Sequence, residues 1–439
     1  MLIVCLINTH CSSSQRLCHI NFSSHNPTHA HLKPKTTNTL HFRYMDDHRN
    51  STPKNAIGLC LLPQELIQNI FLSLVLPEII RLKLVNKSFS RIISDHAFVR
   101  QCNNFSTSTT WLFVYKKRWL RDAVLHAFTD RSSDRWFRIP ISELLKPIHF
   151  HGEDLYFLAA SNNVFLFASN TVLEVVAVNL ITVTVKKIPP SPLGPRGTSS
   201  WRRSGMKLVT DSSGSGQFRF MFAEFVDNRP VLFAYESETD TWKSTEAEED
   251  NNKEFSFSFS PRGASHVFLN VVHGPMESVL VAATPECDKP VVLRPRFNVT
   301  EANDDLTVGF SWGNVMDMLH VYGDGYMMIV KSEGGNTRNV RVLKGVELWG
   351  LSLNGRKWEF VSAVPGVIEK PYAAMMGCLE EKNGVVRAAL VSNCEGVWDM
   401  TWLSFDTRWN RWTFMPLPDC KMKGWNMAGI SFSSGLTLP

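Results

Sequence analysis

The sequence predicts a multidomain chain, α then β: a small three-helix unit followed by an all-β domain built from six repeated units. Two observations carry this reading. Between residues 61 and 95, apolar residues recur at helical spacing behind two proline start signals. From Trp111 onward, short β-branched and aromatic runs bounded by turn residues replace that period.

Composition sets the outer bounds. At 439 residues the chain has room for two or three domains, and 44% hydrophobic with 20% charged residues is the balance of an ordinary globular protein. The formal charge of +5 is small for this length and the basic residues form no stripe, so nothing points to nucleic acid. The longest apolar run near the start, Leu2 to Ile7, falls far short of the roughly 20 residues a membrane span needs. Nine cysteines, an odd number with no CxxC pair, indicate neither a zinc site nor a disulfide framework; reduced thiols in the cytoplasm or nucleus fit them best.

Residues 1–58 read as a disordered leader, rich in Ser, Thr, Asn and His and without a carboxylate before Asp46. It carries half of the 14 histidines, but His29 and His31 have no further ligands at fixed spacing, so no metal is expected there. Arg16, Lys33, Lys35 and Arg43 in an acid-free, Ser-rich stretch resemble a transit peptide; the other reading is that Met45 is the usual start and the leader is incidental.

Residues 59–100 hold the helices. Leu62, Leu66, Ile67, Ile70, Phe71 and Leu74 follow Pro63 at helical spacing, and Glu65 favours the same helix start. Pro77-Glu78 opens a second run with Ile79, Ile80, Leu82, Leu84 and Val85, and Phe89, Ile92 and Ile93 make a third. A unit of about 40 residues buries too little surface to be stable alone, and these helices are apolar over more than one stripe. Something else must cover them.

Leu62-Pro63 with Glu65 and Leu66, then Ile70, the run Arg81 to Phe89, and Ile92-Ile93 resemble an F-box, with Phe89 where family members usually carry Trp. The resemblance implies docking on a Skp-family adaptor and, through it, on a cullin–RING ubiquitin ligase. It assigns the adaptor contact to Leu62, Pro63, Leu66, Ile70, Leu84 and Val85. The alternative is a helical hairpin that merely caps the downstream domain.

Residues 101–110 read as a polar linker, and residues 111–439 as the β domain. Runs such as Val164–Phe167, Phe218–Phe222, Val231–Tyr235, Tyr326–Val330 and Met400–Phe405 are its expected strands. Aligning the strand ends exposes a repeat with anchors at Trp136, Val185, Trp242, Trp358 and Trp412. The gap between Trp242 and Trp358 is twice the others, so a degenerate sixth unit is expected near residue 300, ending around Phe297. Six residues before the anchors stand Asp130, Asn179, Glu236, Ser352 and Asp406, types able to accept hydrogen bonds from turn N–H groups.

One large side chain per unit, packed against the next unit, is the logic of a propeller whose radial closure protects its strand edges. With Asn179 and the Ile-Pro-Pro of residues 188–190, the β domain resembles the kelch-type β-propeller of plant F-box/kelch-repeat proteins. Paired glycines are scarce, Gly334-Gly335 being the clearest pair, so a less regular β domain stays open. The stretches Pro189–Ser204, Asp211–Gly216 and Glu246–Glu254 read as surface connections that could touch a target.

No catalytic signature stands out. The chain has no GxSxG elbow, P-loop, HExxH or GxGxxG after a strand, and His266, His273 and His320 stand singly. No catalytic residue, metal or cofactor is expected. The reading that results is a non-catalytic adaptor with two binding surfaces, the propeller holding an unidentified target protein. The rivals are a kelch-type interaction protein outside ubiquitin transfer and, more distantly, a propeller enzyme, which would need a polar cluster at the central channel.

Overall fold

The computed structural model describes residues 62–438 apart from 107, 117–122, 146–154, 170–172, 197, 212–215, 250–265, 274–276, 285–288, 298–317, 335–339, 367–369, 420–421 and 423–426. The expectations for the leader, and for the centre of the degenerate unit near residue 300, lie outside the described residues.

Four helices open the described chain: α1 Gln64–Ser73, α2 Leu76–Leu82, α3 Lys87–Ile93 and α4 His96–Ser106. The fourth corrects the expectation of a linker from residue 101. Its polar sequence concealed two inward residues, Phe98 and Cys102, one helical turn apart and both buried.

Six blades follow in sequence order, antiparallel in their inner strands. Blade 2 (Leu155–Ser161, Val164–Ser169, Val175–Asn179, Thr184–Lys187) and blade 3 (Met206–Thr210, Phe218–Val226, Arg229–Glu236, Thr241–Glu246) are simple four-stranded meanders. So is blade 6 (Ala374–Lys382, Val385–Cys394, Val397–Asp406, Arg411–Met415). Blade 1 takes its innermost strand, Met427–Ser434, from the far end of the chain and adds Thr110–Lys116, Val124–Thr129 and Ser132–Pro140. Thr110 pairs with Ser434, so the ring closes by strand pairing.

The apolar core is divided into six clusters, one at each junction between consecutive blades. Each anchor position sits on the outer strand of its blade and in the junction with the preceding blade. Trp136 joins the cluster between blades 6 and 1, Val185 that between 1 and 2, and Trp242 that between 2 and 3. Trp358 belongs to the junction of blades 4 and 5, and Trp412 to that of blades 5 and 6. In four of these blades the residue seven positions earlier is the cross-strand partner: Val178, Tyr235, Leu351 and Phe405. A register shift in blade 1 puts Phe128, eight positions earlier, against Trp136 instead, with ring centroids 5.3 Å apart.

Inner strands approach so closely at two places that only glycine fits. A Cβ on Gly323 would lie 2.2 Å from the Leu379 carbonyl oxygen, between blades 5 and 6. One on Gly429 would lie 2.2 Å from that of Phe157, between blades 1 and 2, at a φ of 142°.

Blade 4 departs from the expected sixth unit. Its strands are Val267–His273, Glu277–Ala283 and Val291–Leu293, and its outer strand is Glu248–Glu249, which precedes the other three and pairs in parallel. Phe297 therefore does not end this unit. With Arg296 it pairs in parallel with Lys357 and Trp358 at the rim of blade 5, and its ring packs on Trp349 at 5.2 Å. Blade 5 itself comprises Met318–Gly323, Tyr326–Gly334, Arg341–Leu351 and Lys357–Ala363, with Pro371–Tyr372 added at one side.

The Pro/Gly-rich stretch 189–204 is also more than a solvated connection. Leu193, Ser199 and Ser200 are buried, the Ser200 N–H donates to Glu224 Oε2 at 2.9 Å, and Ser199 Oγ accepts from Val272 N at 2.8 Å. The segment thus ties blades 3 and 4 together. The stretch is expected as a surface connection, but Ser199 and Ser200 are buried and each bonds a group on a neighbouring blade.

Candidate functional site

The four helices are built around Phe71. Its ring meets Phe89 edge to face at 5.1 Å and Phe98 at 6.4 Å, so Phe89 fills the centre of the unit. Pro63 stands at the cap of α1, where its carbonyl accepts the N–H groups of Leu66 and Ile67. Glu78 reaches back to the Val75 N–H at 3.4 Å, Asn86 Oδ1 caps α3 through the Phe89 N–H at 2.8 Å, and Asp95 Oδ1 caps α4 through Ala97 and Phe98.

One set of apolar residues faces away from that core. Ile67 and Phe71 are buried, while Leu66 and Ile70, a turn apart on the other side of α1, are 50% and 39% exposed. Leu84 and Val85, in the turn after α2, are 54% and 62% exposed. Backbone bonds to Arg81 and Leu82 hold that turn. Of the other two residues assigned to the adaptor contact, Pro63 is exposed and Leu62 is half-buried against the helical core. Four large apolar residues in so small a domain, left in solvent while their neighbours are buried, are a surface that calls for a partner.

The helices are not a free appendage. Their apolar residues belong to one cluster with blades 1 and 2 and with Leu436 and Leu438. Asn103 on α4 donates Nδ2 to the Leu438 carbonyl at 3.0 Å and accepts the Leu438 N–H on Oδ1 at 2.8 Å. Glu78 on α2 pairs with Arg135 of blade 1. The 435–438 segment is in turn held by Asn163 of blade 2, which bonds Thr437 through both amide atoms.

The central channel does hold charged groups. Lys207 of blade 3 pairs with Asp324 of blade 5, two blades apart in the ring, so their side chains meet across the channel. Asp324 Oδ2 also accepts the Glu381 N–H at 3.1 Å, and Lys382 donates to Ser434 Oγ at 2.7 Å. Glu380 has one carboxylate oxygen sealed from solvent without a hydrogen-bond partner, and burial pushes its carboxyl above the usual range against the pull of Lys207. These groups mostly satisfy one another and join four inner strands, which is a bracing role. His320, buried on an inner strand of blade 5, has its pKa lowered by burial to about 4; His266 is half-buried and shifted in the same direction, also by burial. Among the described residues no three His, Cys, Asp or Glu side chains gather into a metal-binding group. None of the described helices is long and apolar enough to cross a membrane.

Comparison with known proteins adds one assignment. The F-box domain family matches residues 59–101, the span of α1 to α3 and the first half of α4. No curated protein matches the chain. Among solved structures, a chain of a nidogen/laminin complex is similar at a TM-score of 0.39 and 9% identity, over 76% of this chain and 100% of that one. TolB from Acinetobacter baumannii is similar at 0.33 and 10%, over 78% of this chain and 73% of that one. Apo AztD from Citrobacter koseri is similar at 0.29 and 10%, over 75% and 100%. These three are too distant to assign anything to the chain. Residues 59–101 form an F-box domain, and a six-blade β-propeller follows it.

Proposed function

We propose that the chain is the substrate-recognition adaptor of an SCF-type ubiquitin ligase, working in the cytoplasm or nucleus. The F-box docks on a Skp-family adaptor and through it on a cullin–RING core, while the propeller, of kelch type as in the plant F-box/kelch-repeat proteins, binds the target protein. The observation that carries this reading is the exposed set Leu66, Ile70, Leu84 and Val85 on an F-box domain whose other large apolar residues pack into the core it shares with blades 1 and 2. The protein forms and breaks no covalent bond in this role. Its contribution is positional: it raises the effective concentration of a target lysine beside the charged conjugating enzyme. A shared apolar core and the Asn103 clasp suit that task, because a floppy joint would dilute the gain.

Gel filtration of the purified full chain with a Skp-family protein and a cullin–RING core tests the reading. Co-elution of all components is expected, and its loss on Leu66→Asp with Ile70→Asp in a variant of unchanged melting temperature. Separate elution of the unaltered chain contradicts it.

A further inference from the structure

The turn from Asp406 to Arg411 in blade 6 carries an indole that the fold does not use. Trp409 is 79% exposed, and no other large apolar residue among those described is more so. At the same place in the turn, three residues before the anchor, blade 2 has Thr182, blade 3 has Thr239 and blade 5 has Gly355. A threonine or glycine serves the turn as well, so its geometry does not ask for a tryptophan there.

The turn is nonetheless rigid. Asp406 Oδ1 accepts the N–H groups of Arg408 at 2.9 Å and Trp409 at 3.2 Å, and Thr407 bonds the Gly384 carbonyl through both its N–H and its hydroxyl. Asn410 closes it at a φ of 49°. Fixing the backbone beneath a large apolar side chain lowers the ordering cost of a later contact.

The surroundings are basic. Arg408 and Arg411 flank Trp409, and the corresponding turn of blade 5 carries Lys357 beside Leu353, which is 62% exposed. Arg408, Arg411 and Lys357 are all exposed, and none of them makes an ion pair among the described residues. The acids nearby are Asp406, committed to the turn, Glu381, which accepts the Gly384 N–H, and Glu359 on the outer strand of blade 5. The matching turn of blade 3, by contrast, is acidic, with Glu236, Glu238 and Asp240. Among the described residues of the propeller, four of the six exposed large apolar side chains, Leu353, Phe360, Trp409 and Phe414, lie on the outer strands and turns of blades 5 and 6; Val397 lies at the opposite end of blade 6 and Val226 on blade 3.

From this placement we infer that the turns of blades 5 and 6 are the target-docking surface, and that Trp409 anchors an acidic segment of the target bearing a large apolar residue. Trp and Arg together are the side chains most often found at interface centres, and cations without partners select an acidic ligand. The surface lies at the same end of the propeller as the F-box. Lys382 of blade 6 bonds Ser434 of blade 1 at that end, and the chain there continues as Gly435 beside Thr109, at the F-box junction. A target held there sits next to the blade that carries the ligase contact. The inference rests on the adaptor reading for the identity of its occupant, not for the surface itself.

The test places the photo-crosslinker p-benzoylphenylalanine at position 409 of the full chain, in cells treated with a proteasome inhibitor. A synthetic peptide of the crosslinked segment is then titrated onto the purified full chain by fluorescence anisotropy. The segment is expected to be acidic with a large apolar residue. Trp409→Ala, and separately Arg408→Glu with Arg411→Glu, should each weaken the peptide tenfold or more, while a charge-reversed peptide should prefer the double variant. No crosslink, a crosslink to a second copy of this chain or to a neutral or basic segment, or binding changed less than twofold by Trp409→Ala overturns the inference. Skp-family co-elution is scored separately: its loss with the crosslink intact removes the adaptor reading and leaves the surface, and the converse removes the surface alone.

Discussion

The indole Nε1–H of Trp412, on the outer strand of blade 6, donates to Ser362 Oγ on the outer strand of blade 5 at 3.0 Å. Two other anchors do the same at neighbouring-blade junctions: Trp136 donates to the Pro418 carbonyl at 2.7 Å and Trp242 to that of Pro189 at 3.3 Å. Each reaches backward to the preceding blade, so an anchor joins two blades by its ring face and by its single donor.

Removing these anchors should separate by burial. Trp358, 2% exposed, should cost about 3–5 kcal/mol as Trp358→Ala, whereas half-buried Trp412 should cost roughly half as much. Trp412→Phe keeps most of the ring and loses the bond to Ser362, for about 1 kcal/mol. Urea unfolding of the four proteins, including the unaltered chain, checks the order.

Alanine at the inner-strand glycines should be costly despite its small size. Gly429→Ala and Gly323→Ala force a methyl group into a backbone carbonyl, for about 1–3 kcal/mol or more. Gly345→Ala meets nothing within 4 Å and should stay within about 0.5 kcal/mol. Melting temperatures of the three variants decide this.

Stability should fall on mild acidification. Burial lowers His126 and His320 to about 4, below the ordinary value of 6.5 that each regains on unfolding. Between those values the unfolded chain takes up a proton that the folded chain refuses, so stability is full above pH 6.5 and is lost as pH falls toward 4. The loss is on the order of 3 kcal/mol for each histidine. His320→Gln should flatten the dependence of the urea midpoint on pH between 7 and 4.5.

Asn103→Ala should loosen the F-box from the propeller without unfolding either. It removes both bonds to Leu438 and leaves two main-chain groups without their partner, for about 1–3 kcal/mol. Hydrogen exchange should rise in α4 and at residues 436–438 while the inner strands of the blades stay protected.

What could be read from the sequence was what is local. The F-box helices follow from apolar spacing and proline placement, and the anchor register from a residue pair seven apart on one hairpin. The turn acceptors were legible in kind but not in partner. Asn179 and Asp406 cap their own turns, whereas Asp130 Oδ1 accepts from Thr110 on another strand and Glu236 pairs with Arg219. Features made by distant segments carried no local mark. The pairing of Thr110 with Ser434, the outer strand Glu248–Glu249 handed forward to blade 4, and Lys207 meeting Asp324 across the channel all depend on ring closure. On α1, helical spacing shows that Leu66 and Ile70 share a face, but only the packed fold shows that this face is the one left bare.

That bare face is the centre of the account, and its binding energy can be measured directly. Calorimetric titration of the purified full chain with a purified Skp-family adaptor should give saturable one-to-one binding. Leu84→Asp with Val85→Asp should weaken it by at least tenfold, while Val397→Asp, an equally exposed apolar site on blade 6, should leave it unchanged. Binding that survives the double variant at full strength, or no binding by the unaltered chain, would contradict the assignment of this face.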